Sequence, residues 1–174
     1  HKLNPTPYLA EGPPGFVGLS SQSGSFLTQM FRYLYRHGLG FSTAFSVGNE
    51  ANIDLVDCMA YLGACPHTKV ITLYIEGIAR GREFIETAKA ITPHKPIVAL
   101  YVGGSEAGKR AGFSHTGSLA GSDEIYDGMF RQCGIVRART IAELFDYALA
   151  LGALPRPKGN RVINSRGFAI SPTV

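Results

Sequence analysis

The chain has 174 residues, 45% of them hydrophobic, which is one domain's worth of sequence with enough apolar side chains to bury a core and excludes a disordered segment. Its 17 basic and 13 acidic side chains give a net charge of +4. The basic residues are dispersed (Arg32, Arg36, Lys109, Arg110, Arg137, Arg139) and form no block interleaved with aromatics, so no nucleic-acid partner is expected.

Residues 1–14 have no clean period and read as a linker from an upstream domain. Phe16 to Leu19 is a short apolar run ending in the turn Ser20-Ser21-Gln22-Ser23-Gly24-Ser25. Phe26, Met30 and Leu34 then recur at helical spacing, and Gly38 closes that helix. Phe41 to Val47 reads as a strand. Leu55, Val56, Met59 and Leu62 form the next helical stripe, opened by Asn52 or Asp54. Val70 to Ile75 is an almost unbroken β-rich run, as expected for a strand covered on both faces. Phe84, Ile85, Ala88 and Ile91 make a third helix, stopped before Pro93, and Ile97 to Val102 a fourth strand. A glycine-rich loop carrying Ser114-His115-Thr116-Gly117 follows. Ser122 can then cap a helix with Ile125, Met129, Phe130 and Cys133, and Asp123 and Glu124 stand near its positive end. Ile135-Val136 begin a short strand. Thr140 and Glu143 form a T-x-x-E capping box for a last helix through about Leu151.

This alternation predicts an α/β fold: a three-layer, flavodoxin-like domain over residues 15–154, with a five-stranded parallel sheet in the order 2-1-3-4-5. Residues 155–174 read as a linker and the truncated start of a following domain, with Val162-Ile163 beginning another strand. Cys58, Cys65 and Cys133 include no C-x-x-C pair, and an odd count argues against a disulfide framework. Cys58 and Cys133 fall on apolar helical faces and are expected to be buried. No long apolar run and no signal peptide are present, so a reducing cytoplasm and no membrane partner are expected. No metal site is assigned.

In a sheet of that order, ligands bind at the carboxyl ends of the strands. The Ser/Gly turn, Glu76 and the His115 loop all follow strand ends and are expected on one rim. The turn is either a phosphate cradle of free helix N–H groups or an ordinary capped β–α turn. His115 is either a polar surface residue of its loop or, as the small residues around it favour, a nucleophilic imidazole that can approach a bound molecule, whereas His37, His67 and His94 lie at helix ends or connections and read as structural or solvated. Glu76 is either the carboxylate that fixes the imidazole tautomer or a solvated residue starting a loop. The order Ser23, Glu76, His115 also matches the α/β-hydrolase triad, but the turn lacks the G-x-S-x-G elbow.

The segments GFVGLSSQSGSF, GFSTAFSVGNEANID, TKVITLYIEGIARGREF and GKRAGFSHTGSLAGSDEIYDGMFRQCG together resemble the succinyl-CoA synthetase-like domain of ADP-forming (NDP-forming) acyl-CoA synthetases, acetate–CoA ligases among them, from about Pro14 to Leu151. The resemblance implies an acid–CoA ligase component that interconverts acyl-CoA, phosphate and ADP with acid, CoA and ATP through an acyl phosphate and a phosphohistidine. His115 matches the phosphorylated histidine and Glu76 its carboxylate partner. Ser21, Gln22, Ser23, Gly24 and Ser25 match the phosphate-holding helix start, and Ser114, Thr116 and Gly117 support the loop. It also implies partners: a CoA-binding Rossmann domain, and an ATP-grasp domain or subunit binding ADP/ATP with Mg, both outside this chain, and a small carboxylic acid substrate. The fragment alone is not expected to complete the cycle. Relatives carry a TNSGG-type turn after an NRV strand; here Asn164-Ser165-Arg166-Gly167 breaks that pattern, and no site is assigned there. Such domains also occur in acyl-CoA-responsive proteins such as protein acetyltransferases, so a non-catalytic regulatory domain is the alternative.

Overall fold

The computed structural model describes residues 14–37, 39–104, 122–155, 162–163 and 169–170. Strands β1 (Pro14–Ser21), β2 (Phe41–Ser46), β3 (Val70–Ile75), β4 (Ile97–Tyr101) and β5 (Val136–Ala138) form one parallel sheet in the order β2-β1-β3-β4-β5. This is the expected flavodoxin-like arrangement. Its cause lies in the apolar runs of β3 and β4. Along β3, Ile71, Leu73 and Ile75 point to one face and Val70 to the other, and Ile97 and Ala99 oppose Val98 and Leu100 in the same way along β4. Both faces must be covered, and helices cover both.

Helices α2 (Leu55–Ala64), α3 (Gly81–Ile91) and α4 (Asp123–Cys133) close over the first face through Met59, Leu62, Phe84, Ala88, Tyr126 and Phe130. Helices α1 (Gly24–Arg36) and α5 (Ile141–Ala153) cover the second through Phe26, Met30, Leu34, Leu144 and Phe145. Each fully buried aliphatic or aromatic side chain contributes about 1.5–3 kcal/mol. Val162–Ile163 does form a strand, β6, paired antiparallel with β7 (Ala169–Ile170).

The helix starts settle one open expectation and depart from two others. Asp54, not the exposed Asn52, caps α2, because its carboxylate accepts from Val56 and Asp57 N–H and Asp57 reciprocates. Ser122 holds the N-cap position of α4 but makes no side-chain cap. In α5, Thr140 Oγ1 accepts from Glu143 N–H, but the Glu143 carboxylate reaches back to Arg139 N–H, one residue too early to close the box. The apolar stripe of α4 also differs. Ile125 is 66% exposed, because Tyr126, Phe130 and Cys133 share the inward face at i, i+4 and i+7. The expected stop of α1 at Gly38 lies outside the described residues. Cys58 and Cys133 are buried, as expected, and all three thiols are unpaired.

At the far end of α2, Lys95 Nζ donates to the carbonyls of Leu62, Gly63 and Cys65, each at 2.8 Å. A cation at a helix C-terminus satisfies carbonyls that have no partner within the helix. Lys95→Met keeps the aliphatic stem but takes the partner from Leu62 O and Gly63 O, while Cys65 O keeps the bond from Thr68 N–H. It is expected to cost about 1–3 kcal/mol, read as a fall in denaturant midpoint without a change in slope.

Candidate functional site

The register aligns the strand ends. Ser21 lies opposite Tyr74 on β3 and Ser46 on β2, and Ile75 lies opposite Tyr101 on β4. The segments that follow β1, β2, β3 and β4 therefore leave the sheet along one edge.

After β1 the chain turns straight into α1. Ser21 is fully buried, and its hydroxyl is engaged within the turn, donating to Ser23 O at 2.8 Å and accepting from Ser23 N–H at 3.1 Å. Ser23 is the N-cap: its Oγ accepts from Phe26 N–H at 3.3 Å, and its carbonyl takes the first helical bond, from Leu27 N–H. Its hydroxyl also lies 3.3 Å from that of Ser25. Gly24 and Ser25 are exposed, and among the described residues nothing accepts from their N–H groups. One compositional feature sets α1 apart. The first turns of α2, α3, α4 and α5 carry Asp57, Glu83, Asp123 with Glu124, and Glu143, whereas the first turn of α1 carries no acid. Its positive end is uncompensated by its own side chains, the condition under which a helix start favours an external anion.

Glu76 follows β3 immediately and is half-buried. Its backbone is held tightly. Glu76 N–H and Gly77 N–H donate to Gln22 Oε1 at 2.6 and 3.1 Å, and Gln22 Nε2 donates to Gly77 O at 2.7 Å. Ile78 N–H donates to Tyr126 Oη at 3.1 Å. The Tyr126 ring stacks on Tyr101 with centroids 3.6 Å apart, and burial together with the contact to Tyr126 pushes the Tyr101 phenol up to about 12.

Ser114, His115, Thr116 and Gly117 lie outside the described residues, but both flanks of their segment are described. Val102 N–H donates to Ile75 O at 2.9 Å, which keeps the chain beside Glu76 as β4 ends. A Cβ at Gly103 would stand 2.5 Å from Glu76 O, so only glycine allows this approach. A Cβ at Gly104 would meet Asp123 Oδ1 at 2.7 Å, so the two flanks touch. Asp123 is in turn gripped by Arg137 and Arg139 from the end of β5. The segment carrying His115 thus leaves the described fold next to Glu76 and re-enters it next to Gly104.

Beside the turn lies a cleft of about 170 Å³ lined by Gln22, Gly48, Asn49, Glu50, Asp54, Gly77 and Ala79. Glu50 adopts φ 57°, unusual for a residue with a Cβ, and its carboxylate accepts from Leu55 N–H at 2.9 Å. Burial pushes the Glu50 carboxyl up. Across the cleft, Arg80 forms a fork onto Asp54, with Nε to Oδ2 and Nη2 to Oδ1 both at 2.5 Å, and also reaches Asp57 at 2.7 Å. The Arg80 guanidinium lowers the Asp54 carboxyl from 3.8 to about 2. A carboxyl lowered in the folded state contributes stability that is present above its unfolded value and lost as pH falls through its folded one. Asp54→Asn keeps a capping side chain but loses that charge. Its stability deficit relative to the native chain is expected to be widest above about pH 4 and to close toward pH 2, measured by chemical denaturation across that range.

Of the residues singled out from sequence, the structure brings Ser21, Gln22, Ser23, Gly24, Ser25 and Glu76 together on one rim. It divides their roles: Ser21, Gln22 and Ser23 are bonded within the fold, and Gly24 and Ser25 face outward. Sequence reasoning missed Tyr126 and Arg80, whose partners lie 48 and 26 residues away.

A family model for the "succinyl-CoA ligase like flavodoxin domain" matches residues 14–151. The alpha subunit of the ADP-forming acetate–CoA ligase I of Pyrococcus furiosus is 41% identical over 99% of this chain and 38% of its own length. The alpha subunit of ligase II from the same organism is 47% identical over 92% of this chain and 35% of its own. A solved structure of the dinucleotide-forming acetyl-coenzyme A synthetase 1 of Ca. Korarchaeum cryptofilum, in complex with phosphate and ADP, superposes with a TM-score of 0.80 at 41% identity, covering 87% of this chain and 34% of that one. The chain therefore spans little more than a third of these relatives.

Proposed function

The chain belongs to the succinyl-CoA ligase-like flavodoxin domain family, and from that premise we propose that it is the phosphohistidine-carrying domain of an NDP-forming acyl-CoA synthetase. The observation that carries the reading is the rim. An acid-free helix start with outward N–H groups at Gly24 and Ser25 stands one residue from Gln22, which holds Glu76, and Glu76 adjoins Gly103 on the flank that leads into the His115 segment, while Gly104 beside it meets Asp123 of the other flank.

Chemically, an imidazole nitrogen of His115 attacks the phosphorus of an acyl phosphate. The N–P bond forms as the bond from phosphorus to the acyl oxygen breaks, and the carboxylate leaves. The N–P bond later breaks as a terminal phosphate oxygen of ADP takes the phosphoryl group, giving ATP. The α1 start offers N–H donors and its dipole to the phosphoryl oxygens, worth up to about 2 kcal/mol in a partly buried geometry. The Glu76 carboxylate accepts the other imidazole N–H, which fixes the tautomer and stabilises the positive ring of the phosphohistidine. In this reading CoA, and ADP with Mg, are held by parts of the synthetase outside this chain. The small carboxylic acid is a substrate shared with those parts. The named activities of the relatives, both ADP-forming acetate–CoA ligase subunits, support the reaction class.

The test is a partial reaction. The complete synthetase built on this chain is incubated with acetyl-CoA and radiolabelled phosphate without nucleotide, then assayed for label on protein and for free CoA. Labelled protein formed together with CoA release is expected. CoA-binding without label under conditions of full ligase assembly would overturn the reading in favour of a regulatory domain.

A further inference from the structure

Three consecutive amides follow β3, and a distant side chain receives each of them. Glu76 and Gly77 donate to Gln22 Oε1, and Ile78 donates to Tyr126 Oη. Gln22 Nε2 returns a bond to Gly77 O, and the Glu50 carboxylate is a further partner of the Gln22 side chain. Two N–H donors on one side and a carbonyl on the other define which end of the carboxamide is oxygen. With Gln22 only 8% exposed, its amide is spent inside the fold. Its backbone is fixed as well, since Gln22 N–H donates to Tyr74 O at 3.2 Å. Ser23, the cap of α1, is the next residue. The anion-facing helix start and the Glu76 loop are therefore joined through one side chain.

We propose that Gln22 is a positioning residue that acts through Glu76, its carboxamide setting where the Glu76 carboxylate stands relative to the start of α1. The inference rests on the role given to Glu76 above and changes the role of Gln22 from phosphate contact to clamp. Alanine removes the clamp and takes the side-chain partner from two half-buried N–H groups and a carbonyl. Methionine keeps the buried volume without the bonds. Glutamate keeps the shape, but it turns a second carboxylate oxygen toward Gly77 O and the Glu50 carboxylate where the amide had been a donor.

The experiment is a double-mutant cycle in the complete synthetase, with phosphoryl transfer from radiolabelled ATP to the protein followed in a single turnover. Gln22→Ala, Gln22→Met and Gln22→Glu are each expected to slow transfer by about tenfold or more, with the KM for phosphate in the ligase assay held within about twofold. In a Glu76→Gln background the further loss from Gln22→Ala or Gln22→Met should shrink to within about twofold, because the group being positioned is already gone. Losses that multiply across the cycle, or a steep rise in the phosphate KM, would overturn the proposal and leave the role of Glu76 standing. A Glu76→Gln enzyme that transfers at the native rate would overturn both.

Discussion

Replacing His115 with alanine in the complete synthetase is expected to abolish ATP formation from acyl-CoA, phosphate and ADP, a loss of about a thousandfold or more. The size of the effect follows from covalency. In the proposed mechanism the phosphoryl group is bonded to the imidazole between donor and acceptor, and no other residue on the described rim offers an equivalent nucleophile. The hydroxyls of Ser21 and Ser23 are engaged in the turn, and Ser23 Oγ caps the helix. Acyl phosphate formation does not need the imidazole in this account, so CoA release from acyl-CoA and phosphate should persist in the variant while ATP formation does not. Far-UV circular dichroism and the unfolding midpoint should match the native enzyme. Substantial turnover by the His115→Ala enzyme would defeat the assignment.

Glu76→Gln is expected to lower kcat by about a hundredfold with little change in KM for acyl-CoA. This substitution is unusually clean. The Glu76 backbone is positioned through its own N–H and through Gly77, bonds that the change leaves in place. What is lost is the negative charge that the proposed mechanism sets against the imidazole. A carboxylate favours the cationic imidazole, so its removal should also move the histidine limb of the pH–rate profile to lower pH. A profile of unchanged shape with an unchanged rate would assign Glu76 to the solvated loop start that the sequence alone also allowed.

Much of the fold was legible because its causes are local. The runs VITLYI and IVALY are apolar without alternation, which only a sheet covered on both faces accommodates, and the right-handed crossovers leave few orders for five such strands. The α2 cap was legible as one of two residues, because Asp54 bonds groups two and three residues away. The acid-free start of α1 is also visible in the text, once the helix starts are compared with one another. The side of α4 that faces the core was misread at Ile125, since a hydrophobic side chain one position off the stripe looks like part of it until the helix is placed on the sheet. The clamp was not legible at all. Gln22 meets Glu76 across 54 residues, and Arg80 meets Asp54 across 26. Both contacts exist only because parallel strands bring loops together at one edge, and nothing in the neighbouring sequence encodes the pairing. Grouping Gln22 with the phosphate-holding turn follows from its place next to residues whose N–H groups face outward, and only the folded chain shows its carboxamide bonded to Glu76 and Gly77.

The central claim is that His115 carries the phosphoryl group, and its most direct test is to locate that group. Complete synthetase labelled from radioactive ATP is digested with trypsin at alkaline pH, and the label is mapped. Cleavage after Arg110 and Arg131 releases the peptide of residues 111–131, in which His115 stands as the one histidine. The account predicts label on that peptide, stable to alkali, lost in mild acid, and absent from the His115→Ala enzyme. Label on any other peptide, or an acid-stable phosphate on a serine of the α1 turn, would contradict it.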